Sequence, residues 1–251
     1  MASENNRWQL TLLGHWQLRR DGEPVFVAVR QRRLLAALAI FGARSRRFLA
    51  GTLWPDGGET RAAGSLRACV WHVRHETPNL IDEAGDELFL DESVEVDLHD
   101  LQRRLLLIDD EESTTAMLDD LAALWQADLL PGWYETWVIS EQERVQQWRL
   151  GALETLAARF LDVDRIDYAV TAATMAASID PLRESAHRLV IQGHVMAGND
   201  GAALREYQAF RACLSRELGV APSTMMQRLA ATLDAKTTDR REAAVTSASR
   251  R

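Results

Sequence analysis

The amino-acid sequence predicts a mostly α-helical protein with a small amount of β-structure, arranged as two consecutive regions. Runs of β-prone residues occur only within residues 8–90, and apolar residues at helical spacing take over from Val96 onward. The charge divides as well. The first 75 residues carry 12 Arg and five acidic side chains, whereas the whole chain has a net charge of −8. A basic segment in an acidic chain indicates nucleic-acid binding by the first region and a different role for the second.

Three short strands are expected at the start of the first region. The runs 8–13, 15–19 and 24–29 have the residue types and spacing of strands. Asp21-Gly22 stands between the second and third runs, and this pair favours the tight turn of a β-hairpin. The sequence therefore predicts a short antiparallel sheet.

Two helices come next. The first has apolar residues at helical spacing up to Phe41 and ends at Gly42, which is a typical helix-terminating residue. The second begins after Ser45 and ends before Pro55. Its expected buried residues are Phe48, Leu49 and Leu53.

A third, longer helix follows a loop at 56–58. One stripe of it is apolar at helical spacing, and comprises Ala62, Leu66, Cys69, Val70 and Val73. Beyond it, 80–81 and 88–90 have the character of two strands around an acidic turn. Strands, three helices and a closing hairpin follow one another in the order of a winged helix-turn-helix domain, which we place at residues 8–97.

The second region, 98–235, is predicted to be an all-α tetratricopeptide-like helical domain. Helical candidates lie at 98–108, 114–127, 135–161, 166–178, 182–197, 200–217 and 223–235. In a frame of about 34 residues from Leu150, six residues occupy tetratricopeptide signature positions: Leu156, Ala157, Phe160, Ala169, Ala176 and Pro181. A second frame keeps only Ala203, so a generic helical bundle is the alternative. The polar ends, 1–7 and 236–251, are expected to be disordered.

The third helix carries the candidate DNA-reading residues. In a winged helix this helix lies in the major groove, buries one face and contacts bases with the other. That outer face bears Arg61, Gly64, Ser65, Arg67, Ala68, Trp71, His72 and Arg74. Arginine binds guanine through two hydrogen bonds, and small residues let the backbone approach DNA closely. The alternatives are that these positions are merely solvated, or that Trp71 folds back on the sheet.

Two groups of arginines lie at the starts of the first two helices. They are Arg30, Arg32 and Arg33 at the first helix, and Arg44, Arg46 and Arg47 at the second. Positive charge at a helix N-terminus opposes the helix dipole, whereas a phosphate binds well there. We therefore expect DNA contacts from Arg30, Arg32, Arg33, Arg46 and Arg47 as well.

An ordered set of short motifs runs through residues 8–235. Those of the first region are Leu12-Leu-Gly14, Asp21-Gly22, Arg32-Arg-Leu-Leu35, Leu49 through Leu53-Trp-Pro-Asp56, Ala62, Ser65-Leu-Arg67 and Val73-Arg74. Those of the second are Val96-Asp-Leu98, Leu129-Leu-Pro-Gly132, Asp180-Pro-Leu-Arg-Glu184, Glu217-Leu-Gly219 and Pro222-Ser223. Together they resemble the Streptomyces antibiotic regulatory protein family, a response-regulator-type winged helix followed by a bacterial transcriptional activator domain.

The resemblance implies a transcriptional activator that binds direct repeats near promoters, contacts RNA polymerase and often controls secondary metabolism. Ser65, Arg67 and Arg74 match recognition-helix positions. The loop that the resemblance assigns to a polymerase contact comprises Asp56, Gly57, Gly58, Glu59 and Thr60. Direct repeats imply two copies on double-stranded DNA, and a homodimer in the absence of DNA stays an open alternative.

The sequence departs from the family pattern in two places. Arg47 and Phe48 replace the carboxylates that tend to follow the serine opening the second helix, so the capping box is lost. The turn of the closing hairpin, the wing, carries four carboxylates that would repel phosphate: Asp82, Glu83, Asp86 and Glu87. Either the wing does not contact DNA or it contacts a protein.

Other functions find little support in the sequence. No phosphate-binding glycine motif, nucleophile elbow or catalytic carboxylate pair is present, so we expect no enzyme, no catalytic residues and no cofactor. Cys69, His72 and His75 progress around their helix, so no metal site is expected. The lack of an apolar span and of a signal peptide predicts a cytoplasmic protein without membrane contact. The chief rival is a protein-interaction scaffold with a tetratricopeptide-like domain, whose winged helix has lost DNA binding.

Overall fold

The computed structural model describes residues 7–107, 114–125 and 127–233. Of the tails at 1–7 and 236–251 that we expected to be disordered, only Arg7 falls among these residues. Its backbone N–H donates to Asp21 Oδ1 (3.0 Å), and its guanidinium pairs with Glu95. Among the described residues, no helix is both long and apolar enough to cross a membrane.

The chain forms two compact units that do not follow the predicted linear boundary between residues 97 and 98. The first unit comprises Met1–Leu106 and Gln126–Val145, and the second comprises Leu107–Trp125 and Gln146–Arg251. A segment from the helical region thus returns to the first unit.

A four-stranded sheet opens the first unit. It consists of β1 (Trp8–Thr11), β2 (Gln17–Arg20), β3 (Glu23–Pro24) and β7 (Glu95–Val96), in the order β3-β2-β1-β7. Asp21 and Gly22, at φ 53° and 87°, make the predicted turn between β2 and β3. The expected strand at 24–29 is wrong beyond Pro24: residues 25–28 belong to no strand, and a helix begins at Val29. The short β7 pairs parallel to β1 and was not predicted.

Three helices follow: α1 (Val29–Phe41), α2 (Arg46–Leu53) and α3 (Glu59–Glu76). Gly42, at φ 71°, ends α1 and donates its N–H to the Leu38 carbonyl (2.9 Å). The side chain of Ser45 caps α2 by accepting the N–H of Phe48 (3.2 Å). A 3-10 turn, Pro55–Gly57, leads into α3.

Phe48 is not buried, contrary to expectation. Leu49 and Leu53 lie four residues apart on the inner face of α2 and are buried, whereas Phe48 lies to one side of that face and is 42% exposed. Its ring packs edge-on against Phe41, with 5.4 Å between centroids, and the Arg44 guanidinium covers it.

The closing hairpin, which forms the wing, belongs to a three-stranded sheet. Strands β5 (Ile81–Ala84) and β6 (Glu87–Leu90) form the predicted hairpin, and Gly85 in their turn has φ 62°. The additional strand is β4 (Arg44–Ser45), which pairs with β6 to give the order β4-β6-β5. A strand of two residues has no periodicity, so the sequence did not predict it.

Backbone hydrogen bonds hold the returning segment in the first unit. The N–H of Gly14 donates to the Asp128 carbonyl (2.7 Å), and the N–H of Leu130 donates to the Leu12 carbonyl (2.8 Å). Asp97 begins α4 (Asp97–Leu107), and its carboxylate accepts the N–H groups of Leu12 and Leu13. Burial raises the pKa of Asp97 despite these bonds.

The second unit consists of helices and their connections, with no strand among its described residues. Its elements are α5 (Thr114–Trp125), the later part of α6 (Thr136–Asp162), α7 (Ile166–Ile179), α8 (Glu184–Met196), α9 (Asp200–Leu218) and a helix at 224–233. The signature residues Phe160, Ala169 and Ala176 are buried, as is Ala203 of the weaker frame. Helices α7 and α8 approach so closely that a Cβ built on Gly193 would lie 2.5 Å from Val170 Cγ2.

Candidate nucleic-acid interface

Helix α3 separates a buried stripe from an exposed face in the way the sequence predicts. The five apolar stripe residues, Ala62, Leu66, Cys69, Val70 and Val73, are all buried. The opposite face is open to solvent: Arg61, Arg67, Ala68, Trp71, His72 and Arg74 are exposed, and Gly64 and Ser65 are half-buried. One helix face therefore collects the predicted base-reading residues.

The N-terminal half of this face has small residues that leave the helix backbone accessible. Gly64 and Ala68 carry little or no side chain, and a Cβ built on Gly64 would meet only the Arg67 guanidinium, at 3.9 Å. A flexible side chain is the only neighbour there, so a DNA backbone or base edge has room to approach the helix. Arg61 and Arg67 have no acidic partner among the described residues.

The C-terminal half of the face carries an aromatic cluster. Trp71 is 58% exposed and does not fold back on the sheet. Its ring stacks on His75, with centroids 4.8 Å apart and planes inclined by 13°, and meets the edge of His72 at 5.0 Å. His72 Nδ1 lies 3.2 Å from Glu76 Oε1. From the sequence, His75 was a candidate only for a metal site, because helical spacing alone does not reveal that its ring stacks on Trp71.

Arg46, at the start of α2, and Arg74, in the last turn of α3, both bind Glu83 of the wing. Arg74 Nη1 and Nη2 each lie 3.1 Å from a different carboxylate oxygen of Glu83, and the Arg46 guanidinium also pairs with this carboxylate. Hydrogen bonds from Arg74 and Arg46 lower the pKa of Glu83. The acidic wing thus contacts two of the arginines that the sequence assigned to DNA.

Arg47 forms a looser pair. Its Nε lies 3.3 Å from Glu59 Oε1, and both side chains are largely exposed. Exposed pairs of this kind contribute about 0–1 kcal/mol and are readily exchanged for another anion. Arg47 is therefore available to a phosphate at little cost.

The arginines of α1 have different surroundings. Arg33 is engaged inside the first unit, since its Nε lies 2.9 Å from Glu135 Oε1 and its Nη2 donates to the Leu53 carbonyl (2.7 Å). The Arg32 guanidinium lies over the Trp16 ring (4.8 Å) and donates to the Val27 carbonyl. Arg30 is exposed. Because the Arg33 guanidinium is only 21% exposed and forms an ion pair with Glu135, we leave Arg33 out of the proposed interface.

The segment 56–60 comprises the end of the 3-10 turn, Gly58 and the first two residues of α3, and it presents a polar surface at the start of the reading helix. Asp56, Gly58, Glu59 and Thr60 are exposed, and Gly57 is half-buried. Gly58 has φ 65°, a conformation that favours glycine at the entry to α3. A cleft of about 800 Å³ lies next to this segment and is lined by Trp54, Asp56, Gly57, Arg61, Tyr134 and Trp137.

Comparison with known families decides the assignment. The model of the bacterial transcriptional activator domain matches residues 90–233. The chain belongs to this family. It is 27% identical over 238 residues to the regulatory protein AfsR of Streptomyces coelicolor, covering 90% of this chain and 24% of AfsR. It is 24% identical over 209 residues to AfsR of Streptomyces griseus, covering 79% and 22%. The resemblance to the Streptomyces antibiotic regulatory proteins is thus confirmed.

This family member spans about a quarter of the length of those relatives. Among solved structures it is similar to Mycobacterium tuberculosis EmbR, determined in complex with a low-affinity phosphopeptide, with a TM-score of 0.76 and 18% identity. The match covers 92% of this chain and 65% of the EmbR chain. The likeness confirms the predicted fold class, a winged helix followed by a tetratricopeptide-like helical domain.

Proposed function

We propose that this protein is a sequence-specific DNA-binding transcriptional activator that binds direct repeats at promoters and contacts RNA polymerase. The observation that carries the proposal is the exposed face of α3, where two arginines without acidic partners among the described residues lie beside small residues and an exposed tryptophan. Membership of a transcriptional activator family supports it.

Each residue of the interface has a chemical role in this proposal. Arg61 and Arg67 read guanine by paired hydrogen bonds, and Ser65 and His72 bond bases or phosphates. Trp71 packs its apolar ring against a thymine methyl group or a sugar. The backbone contacts come from Arg30, Arg32, Arg46, Arg47 and Arg74, which bind phosphates.

The segment 56–60 is the proposed polymerase contact. It is polar and mostly exposed, and none of its residues is a proposed base-reading residue, which supports a contact other than DNA. We expect Asp56→Ala to reduce transcription from a reconstituted promoter while leaving DNA affinity unchanged. Equal loss of both would place Asp56 in the DNA interface instead.

DNA binding is tested by selection followed by titration. The full chain is used to enrich a duplex from a random library, and the labelled duplex is compared with a scrambled duplex by fluorescence anisotropy across a salt series. The proposal predicts a preference for the enriched duplex and a steep loss of affinity with salt. Failure to enrich any sequence, or equal weak binding to both duplexes, would refute it.

A protein-interaction scaffold is the second candidate, and one observation favours it. Arg46, Arg47 and Arg74 are already paired with Glu83 or Glu59, which reduces the positive charge offered to phosphate. Under this alternative the chain would show no selection and no salt-dependent binding. The same titration therefore separates the two functions.

A further inference from the structure

Glu83 lies on the inner face of the wing hairpin. It stands directly opposite Leu88 in the register of β5 and β6, and cross-strand partners share a face of the sheet. Leu88 is fully buried, so that face is turned toward the helices. Glu87 stands opposite Ala84, on the other face, and has no ion-pair partner within the part of the chain that the structure describes.

Through one carboxylate, Glu83 links the wing hairpin to two helices of the proposed interface, α2 and α3. It accepts a hydrogen bond from Arg74 Nη1 of α3 (3.1 Å), forms an ion pair with Arg74 Nη2 (3.1 Å), and pairs with Arg46 at the start of α2. Asp82 accepts the backbone N–H of Glu83 (2.7 Å), and the backbone N–H of Arg46 donates to the Asp86 carbonyl (2.9 Å). The carboxylate is therefore held where two guanidinium groups converge.

A carboxylate and a phosphate are recognised by guanidinium in the same way, through paired hydrogen bonds to two anionic oxygens. A DNA phosphate that approaches Arg46 or Arg74 therefore competes with Glu83 for the guanidinium groups that it occupies, and it also meets the negative charge of that side chain. Phosphates are the same in every DNA sequence, so this competition acts equally on all of them.

We propose that Glu83 is a specificity-determining residue of the DNA interface. It occupies the two arginines that would otherwise bind the backbone of any duplex, and only a site whose bases engage the outer face of α3 compensates for separating the pairs. This inference rests on the proposed DNA-binding function. It also gives the acidic wing a role that needs neither a DNA contact nor a protein contact by the wing tip.

The test compares Glu83→Gln with Glu87→Gln in the full chain. Each variant removes one negative charge from the same hairpin, but only the first frees Arg46 and Arg74. Counterion release at each added phosphate contact strengthens binding by about eightfold at 0.1 M salt relative to 1 M salt. We therefore expect Glu83→Gln to bind the scrambled duplex about tenfold more tightly than the wild-type chain at 0.1 M salt. Its plot of log affinity against log salt should be steeper by about 1–2, and its preference for the enriched duplex should fall.

A second background shows whether Glu83 acts through the arginines. In the Arg46→Gln/Arg74→Gln chain, adding Glu83→Gln should leave affinity for the scrambled duplex unchanged. Thermal unfolding of every variant reports whether the hairpin stays folded. A merely structural pair would change the unfolding midpoint of Glu83→Gln without tightening non-specific binding, and that outcome overturns the inference.

The remaining outcomes separate this inference from the proposed function. If the wild-type chain prefers the enriched duplex and Glu83→Gln behaves like Glu87→Gln, the inference fails and DNA binding stands. If Glu83→Gln weakens binding to both duplexes, the inference also fails. If no variant prefers any duplex, the proposed function fails and the inference falls with it.

Discussion

Arginines on the proposed interface differ in how much it costs to bring them to DNA. Arg46 and Arg74 must leave a shared carboxylate, whereas Arg61 and Arg67 have no acidic partner among the described residues. The charged residues could be read from the sequence, but their pairing could not, because Glu83 lies nine residues beyond Arg74 and 37 beyond Arg46. Only the folded hairpin brings these groups together.

Arg67 is the residue from which we expect the clearest effect on base preference. Replacing it with alanine should cost about 1–3 kcal/mol at a single base position of the enriched duplex and relax the preference there. Arg211→Ala, which removes an exposed arginine of α9 in the second unit, is the matched control. Competition titrations with single-base variants measure the effect. A uniform loss at all positions would assign Arg67 to the phosphate backbone.

The two cysteines should differ sharply in reactivity. Cys69 is buried in α3, and burial raises its pKa to about 11, whereas Cys213 is half-buried. At pH 8 a thiol with so high a pKa is almost entirely protonated and reacts slowly, since the thiolate is the nucleophile. Titration of the native chain with a thiol-reactive chromophore should show a fast phase and a slow phase. The slow phase should disappear in Cys69→Ala, and its loss in Cys213→Ala instead would contradict the assignment.

At the scale of single elements, periodicity predicted the long helix α3 and missed the two-residue strands β4 and β7. The 18 residues of α3 place every stripe residue inside, because a helix of that length repeats its pattern over several turns. Strands β4 and β7 have two residues each and exist through pairing with distant partners, so no local pattern indicated them. The position of Phe48 could not be predicted because a helix of eight residues gives only a short pattern: its buried face is formed by Leu49, Ala50 and Leu53.

The close approach of α7 and α8 predicts a strong effect at Gly193. A methyl group there would lie 2.5 Å from Val170 Cγ2, so Gly193→Ala should lower the free energy of unfolding by about 1–3 kcal/mol. Gly151→Ala is the matched control. It lies within α6 with no atom within 4 Å of the built Cβ, and should be neutral or raise the free energy of unfolding by up to about 1 kcal/mol. Urea unfolding of both variants measures the difference, and equal values would argue against the tight helix contact.

At the scale of the whole molecule, the first unit is discontinuous along the chain. The motif Leu129-Leu-Pro-Gly132 could be recognised from the sequence, but its packing could not, because the linear boundary placed it in the second domain. Residues 127–145 supply backbone hydrogen bonds to Leu12 and Gly14 and the carboxylate that pairs with Arg33. The buried side chains of Leu129 and Leu130 add apolar area. The first unit therefore depends on residues far beyond the winged helix.

Fragments of the chain test this dependence. A fragment of residues 1–107 lacks the returning segment, and should unfold at least about 8 °C below a fragment of residues 1–145, since two backbone hydrogen bonds and buried leucines are lost. A fragment of residues 1–125 adds α5 without the segment and should resemble the shorter one. Circular dichroism on heating gives the midpoints. Equal midpoints for the shortest and longest fragments would show that the winged helix is stable alone.

Every cation of the proposed interface is an arginine, and Lys236 is the only lysine in the chain. A guanidinium keeps its charge at any physiological pH, and lysine acetylation has no target on this surface. The positive charge of this proposed interface is therefore fixed unless an anion pairs with it. Adjustment of the proposed attraction therefore falls to the carboxylates that pair with these arginines, Glu59 and Glu83.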